Sequence, residues 1–274
     1  MRKVDELHAV TLAGIAERLT SGLPKNAVVV DVGSGTGGMS AAFASALDRR
    51  GGGKLLLVDA VPELLAVAAE AAGRQAGSSS VSIDTVRADI AEAKLHEMVP
   101  SAQLVWAAGM VHHLPDQQSG VESLVRALSG GGVLALAEGG LENHCLPWDL
   151  GVGEPGFERR LLAARDIWFR EMRAAMPGVV RMPYGWNVAL SRAGLVDVGS
   201  FSVPFDHPAP PTQAVRAYVL NRIQHLVETV GDRLTAEDVG VAERLLDPND
   251  SEYIGQREDL YLLGTYTVHF GRLP

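Results

Sequence analysis

Three carboxylates close three short apolar runs of this sequence: Asp31 in "VVVDVGSGTGG" (28–38), Asp59 in "KLLLVDA" (54–60) and Asp89 in "VSIDTVRAD" (81–89). The glycines after Asp31 let backbone approach a ligand where side chains would block it. They admit two motifs. Gly33, Gly35 and Gly38 spell G-x-G-x-x-G, a dinucleotide fingerprint, whereas Asp31, Gly33, Gly35 and Gly37 spell D-x-G-x-G-x-G. Asp31 discriminates between them. A dinucleotide brings a pyrophosphate to the loop and the following helix N-terminus, and a carboxylate two residues before the first glycine repels it. A cationic, phosphate-free cofactor is attracted instead. Asp59 is placed to accept from ribose hydroxyls, which fits either cofactor, and Asp89 is placed to accept from an adenine amino group.

The next candidates lie after a fourth apolar run. In "GMVHHLPD", His112 is positioned to take a proton from an N–H or O–H nucleophile or to orient it, because imidazole changes charge near neutral pH. The pair His112-His113 has no H-x-x-x-H or C-x-x-C companion, so no metal site is expected. Glu138 ends a fifth run as either a substrate contact or a loop contact. Cys145 as a nucleophile needs an activated thiolate, and it reads as packing. All four tryptophans fall between residues 106 and 186. Trp106 belongs to the core, while Trp148, Trp168, Tyr184 and Trp186 suit an apolar enclosure for a flat substrate and a sulfonium. Tyr184 is a second catalytic candidate. Arg159, Arg160, Arg165, Arg170 and Arg173 alternate with Glu158, Asp166 and Glu171, the pattern of a solvated helix face with local ion pairs.

These residues need a scaffold that gathers strand ends. The runs 27–33, 54–60, 81–89, 102–109 and 131–139 read as buried parallel strands, with helices at about 38–50, 62–75 and 117–128 between them. Strands with helical crossovers build a doubly wound sheet whose ligand site lies beyond the carboxyl ends. The N-terminal segment "MRKVDELHAVTLAGIAERL" reads as an amphipathic helix rather than a signal peptide. After residue 140 come a helix over 156–178, a shorter one over 185–194, a strand over 196–205, helical blocks over 212–234 and 235–247, and a closing strand in "LGTYTVHFGRL". Thr235 and Asp238 suggest a capping box. The expected architecture is α/β: a Rossmann-like, doubly wound, mainly parallel seven-stranded sheet. One domain spans 1–274, with a cofactor-binding core at 27–140 and helical insertions at 140–183 and 206–262 forming a substrate lid. The stretch 77–80 is too short for a domain linker.

The order and spacing of "VVDVGSGTGG", "LLLVDA", "VRADI", "VWAAGMVHHL" and "ALSGGGVLALAE" resemble the motifs of class I S-adenosylmethionine-dependent methyltransferases over residues 27–140. The resemblance implies that Asp31, Gly33, Ser34, Gly35 and Gly37 hold the methionine part, Asp59 and Ala60 the ribose, and Asp89 with Ile90 the adenine. Ala107, Ala108 and Gly109 would lie along the cofactor, with Met110 and His112 facing substrate. S-adenosylmethionine, leaving as S-adenosylhomocysteine, is then the expected cofactor. Residues 140–274 are similar to small-molecule methyltransferases of bacterial secondary metabolism, some acting on indole-type rings, through "ARDIWFREMR", "PYGWNVALSRAGL" and "LLDPNDSEYIGQREDLYLLGTYTVHFGR". That similarity implies C- or N-methylation of a small aromatic or heterocyclic acceptor by in-line displacement.

Composition narrows the alternatives. Of 274 residues, 47% are hydrophobic, enough for a sizeable core, and no apolar run approaches the roughly 18 residues of a membrane span. A net charge of −9 opposes a nucleic-acid partner, and no D/N-P-P-Y/F-like motif follows the fourth run. One cysteine suits a reducing compartment, so a cytoplasmic enzyme, monomeric or homodimeric, with a small-molecule substrate and no membrane partner is expected. The alternatives are an NAD(P)-dependent oxidoreductase, which lacks a Tyr-x-x-x-Lys relay here, and a pericyclase-like protein that binds S-adenosylmethionine without transferring its methyl.

Overall fold

The structure, a computed structural model, describes residues 2–77 and 80–274, with the side chains of residues 2–6 outside the description. Met1 of the expected N-terminal helix, and residues 78 and 79 of the 77–80 stretch, therefore lie outside the described residues. The chain divides into two compact units: residues 1–141, 180–203 and 266–274 in one, and 142–179 and 204–265 in the other.

The first half alternates as its apolar runs predict. It runs α1 (Arg2–Thr20), β1 (Val28–Val32), α2 (Gly38–Arg49), β2 (Gly53–Asp59), α3 (Pro62–Gln75), β3 (Val81–Arg87), α4 (Leu95–Met98), β4 (Ala102–Ala108), α5 (Gln117–Val125) and β5 (Leu128–Ala137). Then follow α6 (Phe157–Ala174), α7 (Trp186–Arg192), β6 (Val196–His207), α8 (Gln213–Val230), α9 (Ala236–Leu246) and β7 (Leu262–Arg272). The seven strands form one sheet in the order β3-β2-β1-β4-β5-β7-β6. β1 to β5 pair in parallel, and β7 runs antiparallel to β5. Winding proceeds from β1 towards β3 on one side and from β4 outwards on the other, so the topological switch falls between β1 and β4. Ligands of such sheets bind there, outside the carboxyl ends.

Strand periodicity divides the core. Val29, Leu55, Leu57, Leu104 and Trp106 point to the face packed by Ile15, Phe43, Leu47, Leu65 and Ala68 of α1 to α3. Val30, Val32, Leu56, Val58, Val105 and Ala107 point to the face packed by Leu95, Val121, Leu124 and Leu190 of α4, α5 and α7. Both faces are covered, which is why these strands read as unbroken apolar runs rather than alternating ones. Phe43 and Trp106 meet edge to face with ring centroids 6.0 Å apart.

Among the boundaries that differ from the sequence reading, two shape the sheet. β5 begins at Leu128 rather than 131, because Ala102 pairs with Leu128 but Leu104 pairs with Val133. The extra residues, including Gly130, Gly131 and Gly132, form a bulge, where a Cβ on Gly132 would lie 2.7 Å from the Ala102 carbonyl. β6 extends to His207. It carries Pro204, which the outermost strand tolerates because its outer N–H row has no strand partner among the described residues.

In the second unit, α8 buries Val215, Val219, Ile223, Leu226 and Val230, one stripe at helical spacing. Thr212 caps α8 by accepting from the Val215 N–H at 3.3 Å, and Thr235 caps α9 by accepting from the Asp238 N–H at 3.1 Å. The capping box expected at Thr235 is half formed, since the Asp238 carboxylate pairs with Arg160 at 2.8 to 3.1 Å.

Candidate functional site

The loop after β1 settles which glycines are conformationally required. Gly33, Gly35 and Gly37 have φ of +72°, +52° and +87°, a region costly for residues with a Cβ. Gly38, by contrast, is the first residue of α2. A Cβ on Gly37 would lie 2.5 Å from the Ala68 Cα of α3, so α3 can press against this turn only because the residue is glycine. The D-x-G-x-G-x-G reading therefore matches the backbone.

Asp31 sits on the β1 face that also carries Val29, turned towards α2, where the Ser40 hydroxyl donates to its Oδ2 at 2.5 Å. It is 2% exposed. Burial pushes its carboxyl up to about 7, the Ser40 hydrogen bond pulls it back, and the negative charge of Asp59 raises it further. A buried anion with one hydrogen bond, beside a second carboxylate, is poised for a cation.

Asp59, the last residue of β2, ties the loop to the strand. Its Oδ2 accepts from the Gly35 N–H and its Oδ1 from the Val61 N–H, each at 3.0 Å. Asp89 lies two residues beyond β3 and is exposed. Its Oδ1 accepts from the Ala91 N–H at 2.9 Å, and its carbonyl receives the Glu92 and Ala93 N–H groups. Both acids thus perform turn-capping work, while each carboxylate oxygen keeps a second lone pair for a ligand. Ala60 is exposed and Ile90 half-buried beside them.

Ser34 supplies the test of fit. Its N–H donates to the Val58 carbonyl at 3.1 Å, yet its buried hydroxyl has no hydrogen-bond partner among the described residues. Such an orphan costs about 1–3 kcal/mol unless a ligand meets it. S-adenosylmethionine suits this set: cationic groups for Asp31, polar atoms for Ser34, hydroxyls for Asp59, and no phosphate. A cavity of about 430 Å³ along the outer side of α2, bounded by Ala9, Ala13, Ala41, Ala71 and Arg74, contains none of the three acids. Thr36, Gly37 and Gly38 of the glycine turn also line it.

Beside β1, the end of β4 presents buried Ala107, half-buried Ala108 and Gly109 at φ +60°. The Gly109 N–H donates to the Ala137 carbonyl at 3.0 Å, and Met110 Sδ lies 3.4 Å from where a Gly33 Cβ would be. The turn after β4 is thereby set against the glycine loop. His112 follows in this turn, its Nδ1 2.6 Å from Glu138 Oε2. Glu138 Oε1 accepts from the Met110 and Val111 N–H groups at 3.0 and 2.7 Å. The Glu138 carbonyl in turn lies 3.1 Å from His269 Nε2 of β7. Burial holds the His269 imidazole below its ordinary pKa against opposing contributions from Glu138, and its Nδ1 lies 2.9 Å from Asn187 Oδ1. Sequence reasoning weighed Glu138 alone and missed both histidine partners. The missing signal was antiparallel pairing of β7 with β5, which no local pattern encodes.

The Tyr184 hydroxyl donates to Gln118 Oε1 of α5 at 3.1 Å, and the Arg192 guanidinium lies 4.0 Å from its ring centroid. Tyr184 and Trp186 pack against the apolar core on the α5 side. Through its hydroxyl Tyr184 ties the segment before α7 to α5. Within the second unit, Trp148 is 57% exposed, stacks under Arg159 at 4.8 Å and closes over Gly156. Trp168 is half-buried on α6, 6.4 Å from Phe169.

The charged helix face also needs correction. Glu158 is buried and accepts from the Cys145 and Leu146 N–H groups and from the Cys145 thiol, at 3.1 to 3.2 Å. Burial, followed by the Glu158 charge, holds that thiol well above its ordinary pKa, which suits packing rather than nucleophilic attack. The arginine pairs reach beyond their own helix: Arg160 to Asp238, Arg165 to Glu142, and Arg233 to Glu171.

Residues 30–134, from β1 into β5, match the methyltransferase domain family. The match covers 105 of the 274 residues, and the S-adenosylmethionine that such a domain uses is in keeping with the fit of the loop acids. No curated protein matches the chain. Among solved structures, a Bacillus halodurans protein described as a methyltransferase shares 17% identity, with 97% of this chain and 98% of that one covered and a TM-score of 0.49. Phosphoethanolamine N-methyltransferase 2 of Haemonchus contortus shares 17% identity at a TM-score of 0.50, over 97% of this chain and 52% of that one. The chain thus spans about half the length of the nematode enzyme, and at this identity the likeness concerns the fold. No helix among its described residues is long and apolar enough to cross a membrane.

Proposed function

We propose that this methyltransferase transfers a methyl group to a small aromatic or heterocyclic molecule, at carbon or nitrogen, by in-line displacement. The observation that carries the reading is a glycine turn flanked by the buried Asp31 and by a buried Ser34 hydroxyl that has no hydrogen-bond partner among the described residues. S-adenosylmethionine supplies a methyl already activated by its sulfonium. Asp31 balances the charge of its methionine part, and Gly33, Ser34, Gly35 and Gly37 let backbone approach. Asp59 with Ala60 receives the ribose hydroxyls, and Asp89 with Ile90 the adenine edge. Ala107 to Gly109 line the cofactor, and Met110 and His112 face the acceptor. With an activated electrophile, orientation and exclusion of water supply much of the rate. The helical segments 140–183 and 206–262, with Trp148 and Trp168, are proposed to select the acceptor. The protein is proposed to act in bacterial secondary metabolism, in the cytoplasm, as a monomer or homodimer with no nucleic-acid partner.

A mass-spectrometric screen of aromatic, heterocyclic and amine acceptors with S-adenosylmethionine tests this. The reading expects one acceptor class to gain the mass of a CH₂ unit. Binding of S-adenosylmethionine with no gain in any class contradicts methyl transfer and supports a protein that binds the cofactor without spending it.

A further inference from the structure

We infer that Ser40 is a positioning residue for S-adenosylmethionine: its hydroxyl turns the Asp31 carboxylate so that Oδ1 is presented to the ammonium group of the methionine part. The inference rests on the reading of Asp31 as the anion that meets that part. Ser40 is the third residue of α2 and is fully buried. Its hydroxyl donates to Asp31 Oδ2 at 2.5 Å, whereas Oδ1 accepts no hydrogen bond from the described residues. A hydroxyl inside a helix commonly finds its acceptor close at hand. Thr20, Ser191 and Thr229 of this chain do so, each donating to the carbonyl four residues back at 2.7 to 3.1 Å. Ser40 instead reaches out of its helix to a strand. Packing alone would be served by alanine, the better helix former, which α2 uses at its buried residues Ala42, Ala44 and Ala46.

The surroundings leave this task to Ser40. The register partners of Asp31, Leu57 of β2 and Trp106 of β4, are apolar, and Phe43 of α2 packs on the same face. Asp59, at the end of β2, acts on Asp31 by repulsion. His8, the buried titratable residue of α1, lies against Tyr266 of β7, three strands from β1 in the sheet order. The Ser40 hydroxyl is thus the contact that favours the ionised carboxyl, against burial and against Asp59. It has two effects on binding. It keeps the anion available near neutral pH, and it fixes one oxygen so that the other is already oriented when a cation arrives, which lowers the ordering cost of association. A carboxylate without that anchor could turn either oxygen outward and would take up a proton more readily.

Calorimetry with two sulfur nucleosides tests this: S-adenosylhomocysteine, which carries the ammonium group, and methylthioadenosine, which keeps the adenosine and the sulfur but lacks the amino acid. Near neutral pH, Ser40→Ala is expected to weaken S-adenosylhomocysteine binding by about 10-fold or more, the loss of one hydrogen bond to a charged group, and to leave methylthioadenosine affinity little changed. Ser40→Thr keeps the hydroxyl and is expected to restore most of the difference. The pH profile is the second readout. Wild-type affinity for S-adenosylhomocysteine is expected to fall below about pH 7, where Asp31 takes up a proton in the ligand-free protein. Without the Ser40 donor the carboxyl is pushed higher still, so this limb is expected to move up by about one pH unit or more. An equal loss for both nucleosides, a limb that stays in place, or unchanged S-adenosylhomocysteine affinity in Ser40→Ala each overturns the inference. Unchanged affinity in Asp31→Asn defeats the underlying reading of Asp31 instead. Should methylthioadenosine bind too weakly to titrate, or Ser40→Thr not fold, the position of the pH limb decides alone.

Discussion

Replacing Asp31 with asparagine removes a buried charge and keeps the shape. In the ligand-free protein, burial and the nearby Asp59 charge outweigh the Ser40 hydrogen bond and move the carboxyl from an ordinary 3.8 to about 7. Between those values the folded state binds more protons than the unfolded one, so stability falls as pH rises through the window and levels off above about 7. The gap corresponds to about 4 kcal/mol at 1.36 kcal/mol per pH unit. The substituted amide has no such titration, and its side-chain oxygen still accepts from the Ser40 hydroxyl. Asp31→Asn is therefore expected to exceed the wild type in urea unfolding free energy by up to about 4 kcal/mol near pH 8. That excess should shrink by ~3 kcal/mol near pH 5, where the wild-type carboxyl is largely protonated in the fold. The same substitution removes the anion that meets the cofactor cation and should weaken S-adenosylmethionine binding at least about 30-fold, the lower end for breaking a buried charge pair. A variant less stable than wild type near pH 8, or a stability difference flat between the two pH values, would refute the account of Asp31 as a strained acid held for a cation.

Other outcomes follow from single contacts. Gly37→Ala forces a Cβ to within 2.5 Å of Ala68 at φ +87° and should lower unfolding free energy by roughly 1–3 kcal/mol while disturbing the cofactor loop, read by urea unfolding and calorimetry. Asp59→Ala removes the Gly35 N–H acceptor and should weaken S-adenosylmethionine binding by about 10-fold or more, at a charge-assisted bond or two; unchanged affinity counts against its assigned role. Glu158→Ala leaves the Cys145 and Leu146 N–H groups without their carboxylate and should destabilise by about 2–4 kcal/mol, with S-adenosylmethionine affinity preserved. Trp106→Ala empties a fully buried site facing Phe43 and should cost about 3–5 kcal/mol on thermal or urea unfolding.

The legible part of the sequence was the part governed by local rules. Buried parallel strands declare themselves as apolar runs, and the acids that end them, Asp31, Asp59 and Asp89, stand where strand meets turn. The two overlapping glycine motifs needed backbone angles to separate, because a letter G does not show whether its φ is positive; Gly37 requires it and Gly38, already helical, does not. Sequence failed where partners are distant along the chain. Glu138 meets His112 over 26 residues and His269 over 131, and both meetings depend on strand order. Glu158 looked like one member of a solvated charge row, yet the segment around Cys145 covers it. The hydrogen bond from Tyr184 to Gln118 of α5 is likewise a contact that sequence neighbours do not announce.

Isothermal titration of the wild-type protein with S-adenosylmethionine, S-adenosylhomocysteine, NAD and NADP tests the central claim most directly. The account predicts saturable 1:1 heats for the two sulfur nucleosides and none for the dinucleotides, with the S-adenosylmethionine response markedly reduced in Asp31→Asn. Saturable binding of NAD or NADP, with no response to S-adenosylmethionine, would contradict it.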